Sequence, residues 1–150
     1  MNNEALQAYL TEQVPDATFD TSGEWLNVQV SVAAFRPLTE KLKKELQFNF
    51  LFCLTCVDWK THLTMVYHLR STKEGHHLVV KVNLDTQQPQ IHTVCDLWRT
   101  AEFHEREVYE LFGVDFLHHP DLRLLILPDG WEGKNPLRKD FEDPVNMIKL

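Results

Sequence analysis

A chain of 150 residues with 43% apolar and 25% charged side chains has the composition of one ordinary globular domain, and no apolar run reaches the roughly 18 residues that suggest a membrane helix. Its formal charge of −7 excludes the class that neutralises nucleic-acid phosphates with clustered Lys and Arg. The longest basic cluster, Lys41-Leu42-Lys43-Lys44, runs into Glu45 and reads as a solvated helix face. The N-terminal stretch lacks the basic start and apolar core of a signal peptide, and three cysteines without an export signal fit a reducing cytoplasm.

Leu6, Tyr9, Leu10 and Val14 recur at helical spacing and predict a helix over residues 3–14, with Asn3 available as N-cap and Glu4 favourable in the first turn. Leu26, Val28, Val30 and Val32 alternate with polar residues, the period of a strand with one wet face. Leu38, Leu42 and Leu46 predict a second helix opening at Pro37, a residue suited to the first turn. The almost wholly apolar run from Phe48 to Val57 predicts a strand buried on both faces. Two alternating strands follow, over residues 63–69 and 78–84, and the turn signal Ser71-Thr72-Lys73-Glu74-Gly75 predicts an antiparallel hairpin. Residues 91–94 read as one more short extended piece, and Asp96 as the cap of a turn holding Leu97 and Trp98. Interleaved helices and strands followed by a hairpin predict an α+β fold: a two-layer sandwich of a small, mostly antiparallel sheet with helices.

A last helix begins near Ala101 and ends at Gly113, which is placed to adopt the left-handed conformation. On its wheel Phe103, Val108, Leu111 and Phe112 form the apolar half, with Glu102, Arg106 and Glu110 opposite, where Arg106 can bridge both acids. Glu107 and His104 fall inside the apolar arc. A carboxylate there must be satisfied, so Glu107 reads as an anchor for Arg123, Arg138 or backbone N–H groups in preference to a catalytic acid. Beyond Gly113, prolines at 120, 128, 136 and 144 discourage helix while apolar residues such as Leu122, Leu125, Ile126, Trp131 and Leu137 recur. The expected division is therefore a body at 1–113 and an extended arm at 114–150 whose apolar side chains need a partner.

Glu105-Arg106-Glu107, Glu110-Leu111-Phe112-Gly113, His119-Pro120-Asp121-Leu122-Arg123, Leu125-Ile126-Leu127-Pro128-Asp129 and Pro136-Leu137-Arg138-Lys139-Asp140-Phe141 resemble, in order and spacing, the signature of the C-type subunit, the 30 kDa subunit family, of proton-translocating NADH:quinone oxidoreductase (respiratory complex I). The likeness is dense over residues 98–141 and looser earlier, around Leu54 to Trp59. It implies a core subunit of the hydrophilic arm, peripheral on the cytoplasmic side of a bacterial membrane, with no catalytic residue, flavin, iron–sulfur centre or metal of its own. FMN and iron–sulfur clusters would lie in partner subunits. It also implies that the C-terminal segment drapes over the neighbouring D-type subunit, near the B-type subunit and the ferredoxin-like I-type subunit, with Glu105, Arg106, Glu107, His119, Asp121, Arg123, Trp131, Arg138, Lys139 and Asp140 on the partner-binding side. Two positions depart from the family pattern: Leu124 stands where a second Arg is common, and Lys134-Asn135 replaces a shorter link. A ferredoxin- or hydrogenase-linked complex using the same kind of subunit is an alternative.

A rival reading gathers Cys53, Cys56, His92 and Cys95 into a structural zinc site. Strand geometry argues against it, because residues three apart on a strand point to opposite faces. A thiol–disulfide pair would need a helix N-terminus, an iron–sulfur centre a fourth ligand, and a nucleotide site clustered glycines, whereas these stand at 23, 75, 113, 130 and 133.

Overall fold

The computed structural model describes residues 2–145 and Met147; the end of the expected arm, at 146 and 148–150, lies outside the described residues. Helix α1 (Asn3–Gln13) is capped by Asn2, one residue earlier than expected, whose side chain accepts the Ala5 N–H at 2.9 Å. A short strand β1 (Thr18–Asp20), unpredicted because three residues carry no readable period, pairs antiparallel with β2 (Leu26–Val30).

Helix α2 (Val32–Lys44) starts five residues before the predicted Pro37. The reason is local: the Ser31 hydroxyl accepts the Ala34 N–H at 3.2 Å and opens the helix, so Val32 is its first residue and not the last of a strand. Pro37 then sits inside the helix, where it withholds a donor from the Ala33 carbonyl.

Strands β3 (Phe50–Asp58), β4 (Leu63–Arg70) and β5 (His77–Leu84) complete a five-stranded sheet in the order β1-β2-β5-β4-β3. The predicted hairpin β4–β5 pairs antiparallel from Leu63 opposite Leu84 to Arg70 opposite His77, and β2 joins β5 in parallel. β3 is not buried on both faces: it is an edge strand whose Phe50 is 42% exposed. A bulge between Leu51 and Cys53 lets Phe52 and Cys53 both face outward, so Leu51 and Leu54 stay in the core although three residues apart. All three helices bury side chains against one face of this sheet, among them Leu10, Phe35 and Val108 against Val28, Tyr67 and Val80. The α+β expectation holds.

A second layer forms around α3 (Ala101–Phe112), which links β6 (Gln90–His92) to β7 (Asp115–Leu117) as parallel neighbours. Strand β7 lies past the expected division at residue 113 yet pairs with β6. Asp96 lies in the turn at residues 95–97, and its carboxylate forms a two-pronged ion pair with Arg36 of α2 (2.8 and 2.5 Å), while Arg36 Nη1 also donates to the Thr93 carbonyl. Gly113 ends α3 with φ +79°, as expected, and a Cβ built there would meet Asn135 Nδ2 at 2.6 Å. The glycine serves both the cap and the close passage of the tail.

Candidate functional site: the α3 and tail junction

Helix α3 has covers on two sides, which explains why its wheel misleads. Ala101, Val108 and Phe112 face the sheet core. Arg106 and Glu110, expected on a solvated face, are 4% and 2% exposed, whereas Phe103, expected in the core, is 55% exposed. The tail makes the difference. Arg106 Nε and Nη2 donate to the carbonyls of Arg123 (3.1 Å) and Leu124 (2.6 Å). The Glu110 carboxylate accepts the successive N–H groups of Leu125 (2.8 Å), Ile126 (2.9 Å) and Leu127 (3.1 Å). One cation thus takes carbonyls and one anion takes amides from five consecutive tail residues, and the amides form a nest around the carboxylate. The anchoring predicted for Glu107 belongs to Glu110, and Arg106 bridges no acid among the described residues.

Further along, the Leu137 N–H donates to the Leu111 carbonyl and Arg138 Nη1 to the Phe112 carbonyl, covering the C-terminal end of α3. The Lys139 N–H donates to Asp58 Oδ2 at 2.8 Å, and this bond together with the Lys60 N–H holds the Asp58 carboxyl below the usual carboxylate range. Asp58 and Glu110 are the residues that sequence reasoning missed. Their one sequence signal is position: an acid ending an apolar strand, and an acid one turn after Arg106 ahead of a leucine-rich run.

The remaining expected partner-binding residues divide by burial. Glu105 is 0% exposed, and its carboxylate accepts the Thr93 hydroxyl and the Val94 N–H at 3.2 Å. Burial pushes it up to about 7. The His119 side chain is also buried: Nδ1 accepts the Asp121 N–H at 3.0 Å, so the proton sits on Nε2 and points to the Glu102 carbonyl at 3.0 Å. Glu105, Arg106 and His119 therefore serve contacts within the chain. Glu107 is half-buried. Asp121 and Arg123 pair with each other, as do Arg138 and Asp140, all except Arg138 with substantially exposed side chains. Half-buried Trp131 lies under the Lys134 ammonium at 4.6 Å.

Among the described residues, Cys95, Glu105 and His119 bring one potential ligand atom each within 4.8 Å of one another. The hydrogen bonds do not fit a metal: with Nδ1 accepting an amide, His119 Nε2 could ligate only by giving up the proton it directs at Glu102. The alternative zinc set Cys53, Cys56, His92 and Cys95 is not assembled. Cys56 packs in the core while Cys53 faces outward, and His92 Nδ1 is engaged by the Thr93 carbonyl. Burial pushes the Cys56 thiol up to about 12, the reverse of what a redox cysteine needs.

Residues 28–145 match the family model described as the respiratory-chain NADH dehydrogenase, 30 Kd subunit. The chain belongs to this family. It is 45% identical over 106 residues to the C-type subunit of the NADH-quinone oxidoreductase of Moorella thermoacetica, covering 69% of this chain and 71% of that one. It is 36% identical over 138 residues to the C-type subunit of the F(420)H(2) dehydrogenase of Methanosarcina mazei, covering 89% and 87%. The C/D-type NADH-quinone oxidoreductase protein of Phocaeicola vulgatus is 40% identical over 112 residues; the match takes in 73% of this chain and 21% of that protein, so the chain spans about a fifth of its length. Among solved structures, the trypsin-resistant fragment (1-134) of Nqo5 superposes with TM-score 0.71 at 32% identity, covering 78% of this chain and 98% of the fragment. A chain of the membrane-bound sulfane sulfur reductase, an archaeal respiratory membrane complex, superposes with TM-score 0.81 at 31% identity, covering 93% and 85%. No described helix of this family member is long and apolar enough to cross a membrane.

Proposed function

We propose that this chain is a scaffold subunit in the peripheral arm of a membrane-associated NADH:quinone oxidoreductase, on its cytoplasmic side, carrying no cofactor and no catalytic residue. Electrons would pass from NADH through FMN and iron–sulfur centres in other subunits to quinone, coupled to proton translocation. The tail would hold the D-type subunit beside the B-type and I-type subunits, keeping the quinone site in its working geometry. One observation carries the reading. The tail is fastened to α3 through its backbone, yet Leu125, Ile126 and Leu137 remain 37%, 69% and 55% exposed. Large apolar side chains held outward on a fixed backbone are preorganised for a protein partner. The test is a doubly substituted chain, Ile126→Glu with Leu137→Glu, tagged and purified gently from membranes. It should fold and appear without the other subunits; recovery of a complete, quinone-reducing complex would contradict the proposal. Truncation at 114 is a poorer test, since it would strip β7 from β6.

The Methanosarcina mazei relative favours a second reading of the electron donor, because it spans most of this chain and belongs to an F(420)H(2) dehydrogenase. Ferredoxin- or hydrogenase-linked donors belong to the same reading. Supplying NADH and then reduced F420, ferredoxin or hydrogen to the purified complex distinguishes them by which one reduces quinone.

A further inference from the structure

The five-stranded sheet has two faces, and the helices occupy one. The buried apolar side chains of α1, α2 and α3 join the core formed by the inner face, whereas Val66 and Val79, on the outer face, stand outside that core. They are nevertheless only 8% and 3% exposed. At one end of the outer face a ring cluster has Trp25 stacked on His77 with centroids 4.5 Å apart, and Phe52 edge-on to Trp25. At the other end lies a depression of about 270 Å³, lined chiefly by Val57, Trp59, Thr64, Val66, Lys81 and Asn83. Trp59 is 57% exposed at its rim, held by a tight turn in which its N–H donates to the His62 carbonyl at 3.0 Å.

Lys81 makes this depression chemically specific. It is half-buried among β-branched side chains and forms no ion pair with any described residue. Its polar neighbours Thr64 and Asn83 bond to each other at 2.8 Å. In a chain of net charge −7, the strand positions of this face carry two cations, Lys81 and Arg70, against one acid, Asp20, whose carboxylate accepts the Ser22 hydroxyl and N–H and feels the Lys81 charge without forming an ion pair with it. Two separated cations are too few for a polyanion or an anionic lipid surface. They suit a single carboxylate, and an exposed tryptophan beside it is the residue type that dominates binding energy at protein interfaces.

We infer that the outer sheet face is a second docking surface, taking a segment of a neighbouring subunit that presents one Asp or Glu to Lys81, flanked by apolar side chains that pack on Trp59 and Val57. This rests on the proposal that the chain is part of a multi-subunit complex, and the test separates the two. Photoreactive benzoylphenylalanine is placed at Thr55, an exposed outer-face position of β3, and in a parallel sample at Leu137 on the tail; each purified complex is irradiated and the adduct sequenced. The Thr55 probe should capture a segment of another subunit containing Asp or Glu. Lys81→Glu should lower that yield at least tenfold, Lys81→Arg should retain it, and Glu→Lys in the captured segment should restore it to Lys81→Glu. If Leu137 cross-links while Thr55 gives no adduct, a second copy of this chain or a segment without acids, the inference is overturned and the scaffold reading stands. An adduct whose yield ignores Lys81→Glu also overturns it. A chain that purifies alone, with neither probe capturing anything, overturns both.

Discussion

The body and the tail satisfy opposite halves of the chain's chemistry. In the body, backbone groups pair with one another in helices and ladders, and apolar side chains such as Leu10, Phe35, Tyr67 and Val80 are sealed inside. In the tail, past Leu117, no described residue is in a helix or strand; backbone groups are taken by charged side chains of the body, and Ile126 and Leu137 face outward. A segment of this kind does not need a core of its own. It needs a surface that supplies donors and acceptors in the right order, and α3 does so through Arg106 and Glu110 spaced one turn apart.

The severest way to break this arrangement is Glu110→Ala. Three amides would lose their charged acceptor; with charged hydrogen bonds at about 1.5–3 kcal/mol each and partial compensation by water, the tail should lose about 3–5 kcal/mol of local stability. Hydrogen exchange should show amides 122–127 losing protection while β3, β4 and β5 keep theirs.

Next is Glu105→Gln, which acts on the joint between α3 and the loop after β6. The folded Glu105 titrates at about 7, above its ordinary 4.5, so between these values the unfolded chain binds fewer protons and stability falls as pH rises. The full penalty, on the order of 3 kcal/mol, is present above pH 7 and absent below 4.5. Denaturant unfolding should find the substituted chain more stable at pH 8, with the decline between pH 4.5 and 7 flattened.

Gly113→Ala should cost about 1–2 kcal/mol, since its φ of +79° strains any side chain and the new methyl meets Asn135. Adding Asn135→Ala should recover the steric part and leave the backbone part, as read by the thermal midpoint. The smallest effect on the isolated chain belongs to Ile126→Ser, within about 0.5 kcal/mol of the parent, because the side chain it removes is 69% exposed. Its effect on assembly should be far larger. A loss of stability in the isolated chain would mean that Ile126 is packed inside.

How much of this was legible in the sequence follows from which forces leave a period. Alternation in β4 and β5 and the turn signal between them predicted the hairpin correctly, and Gly113 marked the end of α3. Periodicity failed where burial and polarity part company: the α3 wheel placed Arg106 and Glu110 in solvent because it assumes a single apolar cover, and β3 read as fully buried because aromatic residues also line its open face. The start of α2 was hidden by Val32, which continues the alternation of β2 while Ser31 has already capped the helix. The family signature was readable as a pattern of residues, but the roles of Asp58 and Glu110 were not, since their bonds to the tail span 81 and 15 to 17 residues. No local rule pairs residues so far apart.

The most direct test compares side-chain accessibility of the tail in the free chain and in the purified complex. Hydroxyl-radical footprinting should modify Ile126 and Leu137 readily in the free chain, with amides 125–127 already protected from exchange, and should lose both side-chain modifications in the complex. Equal modification of Ile126 and Leu137 in the two states would contradict the claim that the body fixes the tail's backbone so that a partner can receive its side chains.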